Sequence, residues 1–261
     1  MFWWFIACTE NQSEEYFRHL LYTFRYERAE GALSKGFNLD TYISTSQEPN
    51  GCYHQDFTHP EGHLGIDNNF ATIIDDLAAT EAEDIEYSFD EAVRDGLLLI
   101  IIERKGIGDN AEIRIRYGSE APYLSAQGDP LDGQSFSIDE TTPSSSWFPA
   151  RYSGTSYTIE GFEILVQSEI MSVPISLPLT NASLQIPAED TDFEKGIFAG
   201  GLALSDALIL TSFDLVGMTE MLEYRLASHL DLYPDEQGAC QSISTTFSFS
   251  AIPVHLFSSE E

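Results

Sequence analysis

The side chains that could do chemistry crowd into residues 36–69, where Asp40, Asp56 and Asp67 stand among turn residues and Asn68 follows the last of them. A hard cation such as Ca²⁺ takes about six to eight oxygens from carboxylates, amide carbonyls, main chain and water. Asp40, Asp56, Asp67 and Asn68, with Glu61 in reserve, are therefore a candidate calcium set. Each also has a simpler job: Asp67 as the N-cap of a helix, Asp40 and Asp56 as turn residues that accept main-chain N–H groups. His54, His59 and His63 share the stretch, and neutral imidazoles beside a carboxylate suit Zn²⁺ with an open position for water, the chemistry of a metal-dependent hydrolase. Pro60 and Gly62 keep His59 and His63 off a regular helix face and H-E-x-x-H is absent, which favours solvent-facing loop histidines. Further on, Trp147, Phe148 and Tyr152, with Tyr157 nearby, could stack on sugar faces as a carbohydrate-binding module does, or simply anchor their loop to the core. No G-x-S-x-G occurs, and acid pairs such as Asp139-Glu140 and Glu189-Asp190 are the default in so acidic a chain. No catalytic residue is assigned.

The 43 acidic residues against 12 basic ones give a net charge of −31. Phosphate contacts need Lys and Arg, so nucleic acid is excluded as a partner. The acidic coat suits a salty or Ca²⁺-rich medium, where it keeps the chain soluble. Three cysteines are present. Cys52 and Cys240, far apart in a chain read as exported, read as one disulfide. Cys8 ends the apolar run Phe2-Trp3-Trp4-Phe5-Ile6-Ala7, which resembles the lipobox of bacterial lipoproteins, where the Cys is acylated. The run is too short for a complete signal peptide, so a basic n-region is expected upstream. The polar residues after Cys8 suit a solvated tether.

The elements that must position these residues are mostly strands. Alternation and aromatic content predict a strand over 21–28. Phe70, Ile73, Ile74 and Leu77 predict a helix over 66–79, N-capped by Asp67, and the capping box at Ser88–Glu91 starts a second helix that stops at Gly96. The apolar run 97–102 and the alternating run 112–117 predict a central hairpin. Loops fill 118–154 with one strand near 136–138, then strands follow at 157–167, 172–179 and 182–186, the last two joined by a turn at Thr180-Asn181. A second helix pair is expected from 202–210 and from the face Met218, Met221, Leu222 and Leu226. The final strand, 242–256, slips phase near Ala251, which predicts a bulge. The expected fold is mainly β (α+β), an antiparallel β-sandwich or curved sheet with two flanking helix pairs. Residues 1–8 read as the remnant of an anchor, 9–16 as the tether and 17–261 as one domain.

The segments GFNLD, C-x-x-x-D-F, GIDNN, LLLIIIERKGIGDNAEIRIRYG, GIFAGGLALSDALI and CQSISTTFSFSAIPVHL together resemble uncharacterised exported bacterial lipoproteins. The resemblance covers most of the chain after the tether. It implies a compartment and an architecture but no activity, and it places Asp40, Cys52, Asp56, Asp67, Asn68 and Cys240 at motif positions. The LD of GFNLD is commonly followed by Gly in that family; here it is followed by Thr41. The expectation is an exported, envelope-anchored, non-enzymatic lipoprotein held to the bacterial membrane through Cys8, with a carbohydrate or protein ligand and one structural Ca²⁺. A metal-dependent hydrolase using residues 54–67 and a sugar-binding module are the rivals.

Overall fold

The structure is a computed structural model that describes residues 16–49, 51–74, 79–170, 173–189, 193–211, 223–224 and 226–257. The expected anchor and Cys8 lie outside these residues, as do Met218, Met221 and Leu222. After β1 (Tyr16–Tyr26) a long excursion carries the small pair β2 (Phe57–Thr58) and β3 (Leu64–Ile66), then the helices α1 (Ala71–Ile74) and α2 (Ala79–Arg94). The hairpin β4 (Ile100–Lys105) and β5 (Glu112–Ser119) leads to the short strands β6 (Ser135–Ile138), β7 (Phe148–Pro149) and β8 (Arg151–Tyr152). Long strands follow, β9 (Ser156–Ile170), β10 (Val173–Pro187) and β11 (Phe193–Ala203), then α3 (Leu204–Thr211), β12 (Ser242–Pro253) and β13 (His255–Phe257).

One eleven-stranded sheet runs β13-β6-β5-β4-β1-β12-β11-β10-β9-β8, with β7 beside β5. Its pairs are antiparallel except β13 with β6, so the sheet is mixed. A short segment ties its two distant ends together. Phe148–Pro149 pairs with β5, Ala150 N–H donates to Ala111 C=O, and Arg151–Tyr152 pairs with β9. The sheet therefore curls around a core in which the rings of Phe24, Phe89, Phe198, Phe247 and Phe249 pack edge-on and stacked, with centroids about 5–6 Å apart.

The fold is thus mainly β, with a large mixed sheet and a few short helices; much of the expected second helix pair lies outside the described residues. Three departures from the sequence reading have local causes. The acidic stretch 80–86 is part of α2 rather than a link, because Ala and Glu are strong helix formers and charge alone does not break a helix. Thr180-Asn181 is not a turn: β10 runs through it as an irregularity between the pairs Leu179↔Ile164 and Ala182↔Phe162, opposite Glu163, with Asn181 in the left-handed region at φ 47°. Asn tolerates that region, which is why the pair looks like a turn in sequence. The stretch 202–210 finishes β11 before it turns helical at Leu204. The irregularity expected near Ala251 is present, and the extra residue sits across from it, at Tyr22 of β1.

The irregular line through β9, β10 and β11 bends the sheet. Gly161 has φ +75° next to the slip at Asn181. Farther along, Gly201 lies flat under Tyr233, where an added Cβ would come within 2.6 Å of the ring. These glycines let the strands turn a corner and let a loop lie close on the outer face.

Two charged arrangements hold the sheet. β1 pairs with β4 only as far as Leu20↔Ile101, so the second half of that edge lacks a strand. Helix α2 covers it instead. Glu86 accepts the Tyr26 N–H at 3.0 Å, and Asp90, one turn on, accepts the Phe24 N–H and a two-pronged contact from Arg25. A buried N–H left bare costs about 1–3 kcal/mol. Glu86→Ala is therefore expected to lower the melting temperature by about 4–8 °C, read by calorimetry, since about 1 kcal/mol moves a chain of this size by 2–4 °C; no change would mean that water serves this edge equally well. On the outer face of β4 and β5, the fully buried Glu103 carboxylate receives Arg18, Arg114 and Arg116. Burial pushes this carboxyl up, but hydrogen bonds from Arg114 and Arg18 more than offset it and hold it below the usual glutamate range.

Candidate functional site

Residues 27–70 and 226–241 form a cap over β11 and β12. Its staple is the Cys52–Cys240 disulfide, with Cα atoms 6.0 Å apart and a sequence separation of 188. The bridge expected from the two thiols is present. Apolar support under the cap is slight: Leu39, Ala199 and Leu232 with Phe37 and Tyr233. Among the described residues, five of the six non-glycine residues with positive φ lie in or against it, namely Thr41, Cys52, Tyr53, Asn181 and Tyr233. Each costs of order 1 kcal/mol, so this layer is held together against local backbone preference. The buried hydroxyls of Ser44 and Thr246, which belong to the cap and the strand beneath it, find no partner among the described residues.

The four candidate calcium ligands all lie here, and each has a local partner. Asp67 is buried, and its Oδ2 accepts the N–H groups of Leu39 at 2.5 Å and Asp40 at 3.3 Å. It closes the Phe37–Asp40 loop and does not cap α1. Asp40 accepts the Tyr42 N–H and Asp56 accepts the Ser44 N–H. Asn68 turns its amide nitrogen, not its carbonyl, toward Glu27 and Ser34. The donors face main chain rather than a common centre, and among the described residues no group of three His, Cys, Asp or Glu is placed to hold a metal ion. The histidines divide in the same way. His59 and His63 face each other with centroids 5.8 Å apart, while His54 stacks on His229 at 6.0 Å. Burial and the neighbouring His229 hold His54 below its usual pKa.

Asp231 was not legible as a site residue. It is buried beside Asp67 and takes both the N–H and the hydroxyl of Ser244. Its only signal in sequence is an acid between Leu230 and Leu232, both apolar. Burial, then the charges of Asp40, Asp231 and Asp56, pushes Asp67 up to about 9. Burial raises Asp231 to about 7, and burial with Asp40 and Glu48 nearby raises Asp56 to about 6. Near neutral pH the cap therefore holds protons on acids.

The second place is a groove of about 700 Å³ at the seam between β5 and β9, within the range of ligand pockets. One wall is the loop 142–148, held to β5 by Ser145, whose hydroxyl accepts the Ile115 N–H and whose N–H donates to Ile115 C=O. The other wall is β9, from Gly161 to Leu165. The floor is apolar, with Phe148 and Phe162 rings 5.8 Å apart, and the Tyr117 hydroxyl spans the seam to accept the Leu165 N–H at 2.9 Å. Of the three candidate ligand-binding aromatics only Phe148 lines this groove. Trp147 packs under the cations of Arg114 and Lys105, at 4.2 and 4.6 Å, and Tyr152 lies on Tyr157 at 5.0 Å. The three do not make one flat platform. The groove was hidden in sequence because it joins a loop to a strand edge that only curling of the sheet brings together. No protein family matches the chain, and no curated protein or solved structure matches it.

Proposed function

We propose that this chain is an exported, envelope-anchored bacterial lipoprotein of the non-enzymatic, ligand-binding kind, and that its ligand lies in the groove between residues 142–148 and β9. The observation that carries the reading is the groove itself: an apolar floor around Phe148 and Phe162, rimmed by the exposed Ser144, Ser146 and Asn181 and by a single charge, Glu163. An apolar concavity with few polar groups is what small-ligand and peptide sites share. Export is supported by a disulfide that closes most of the chain, since such bridges persist in oxidising compartments. Anchoring rests on the pattern before Cys8, and lipid mass on that residue is its direct check.

The expected result is that Phe148→Ala weakens binding of any groove ligand at least tenfold while the melting temperature stays within a few degrees, because the ring is half-buried. Calorimetric titration against ligands drawn from a glycan array and a peptide library reads this. Ligands that bind wild type and Phe148→Ala alike would place the binding site elsewhere.

A further inference from the structure

The walls of the groove differ in one respect that bears on ligand class. The β5 wall has its main chain satisfied by Ser145. The β9 wall has no described strand beside it past Thr158. Leu165 lies opposite Pro178 of β10, between the pairs Ile164↔Leu179 and Val166↔Leu177, and donates its N–H to Tyr117 on the other side. Peptide groups alternate in direction along a strand. Glu163 and Leu165 therefore turn their main-chain groups into the seam, and β8 pairs with β9 only at Tyr157 and Thr158. Beyond those two positions no described strand pairs with this edge of β9. The side chains alternate in step: Phe162 and Ile164 go to the core, and Gly161 and Glu163 stand outside.

A bare strand edge at the side of an apolar groove recognises another main chain in extended form. The one charged side chain of the groove is Glu163, and the protein as a whole carries a net charge of −31, so a basic residue is complementary. Gly161, which lacks a side chain and has φ +75°, leaves one end of the edge open to close approach of backbone. We propose that the groove takes an extended peptide with a Lys or Arg, which adds as a strand to the free edge of β9 and sets its cation against Glu163. Phe148 and Phe162 then receive alternate side chains of that peptide. The inference rests on the groove being the binding site and adds the ligand class. Stacking of a sugar would use the aromatic floor but would leave the edge unpaired.

The probe is a random heptapeptide display library selected on the full chain, with the enriched peptides resynthesised and titrated. The expected result is alternating sequences with Lys or Arg at one position. Their affinity should fall at least tenfold on N-methylation at alternate residues and at least tenfold with Glu163→Lys. Glu163→Pro, which removes an N–H on an edge that no described strand pairs with, should fold and also lose binding. Peptides that are lost with Phe148→Ala but tolerate N-methylation and both Glu163 variants would overturn strand addition and leave the groove reading standing. Enrichment of no peptide, with sugars bound and released by Phe148→Ala, would overturn the peptide class alone. Peptides and sugars that ignore all these variants would overturn both.

Discussion

Removing the Cys52–Cys240 bridge is expected to lower the melting temperature by about 10–20 °C. Closing a loop of this length constrains the unfolded chain by about 5 kcal/mol in the chain-entropy account, and each kcal/mol is worth about 2–4 °C for a chain of this size. Beside its hydrogen bonds to β12, the cap has a thin apolar contact around Leu39, Ala199 and Leu232, several residues in unfavourable backbone conformations, and buried acids. Calorimetry of Cys52→Ser/Cys240→Ser, and of wild type with and without reductant, reads the effect. Exchange of main-chain amides in residues 36–67 should rise with it, while amides of β4 stay protected, because β4 pairs with β1 and β5 and the cap meets the sheet at β12, through Phe70 N–H to Ser244 C=O and the Leu232–Ser242 bridge. A shift under about 2 °C would mean that the bridge is incidental.

The second large effect is a melting temperature that rises as the solution is acidified from about pH 9 toward pH 5. Asp67, Asp231 and Asp56 hold their protons in the folded chain up to about 9, 7 and 6, against about 4 when unfolded. Between those limits the folded state binds more protons than the unfolded state. The stability these groups contribute is full below about pH 4 and is lost as pH rises through the folded values. Glu103 acts in the opposite sense. Its carboxyl sits below the ordinary value, so its contribution is present above about pH 4 and lost when acid protonates it among three arginines. A maximum near pH 5 is therefore expected, with a fall on both sides. Asp67→Asn should raise the melting temperature at pH 8 by about 5–10 °C and flatten the alkaline limb. The amide keeps an oxygen for the Leu39 and Asp40 N–H groups and carries no charge to bury. Equal or lower stability of Asp67→Asn at pH 8 would show that Asp67 is ionised there, held by a cation or by water.

Much of the frame was legible in the chain because period and turn chemistry are local. The hairpin β4–β5 follows from an apolar run, a turn and the alternation of Ile113, Ile115 and Tyr117. The bulge opposite Ala251 follows from a slip of phase, and the disulfide from two thiols with no metal spacing between them. Asp40 and Asp56 act as the turn residues that their spacing allowed. What the sequence leaves open is every relation that depends on how the sheet curls. Asp67 belongs to a loop rather than a helix start because residues 36–40 come back across it, a contact made 27–28 positions away. Asp231 becomes buried only when the second half of the cap closes on Ser244. Phe148 faces a groove, while its neighbour Trp147 faces cations, because β7 and β8 tie β5 to β9 at that point. Hydrophobic period tells which side of an element is buried, and net charge tells what the surface repels. Which buried acids meet, and which strand edge stays bare, is decided by long-range pairing, and only the tertiary structure carries it.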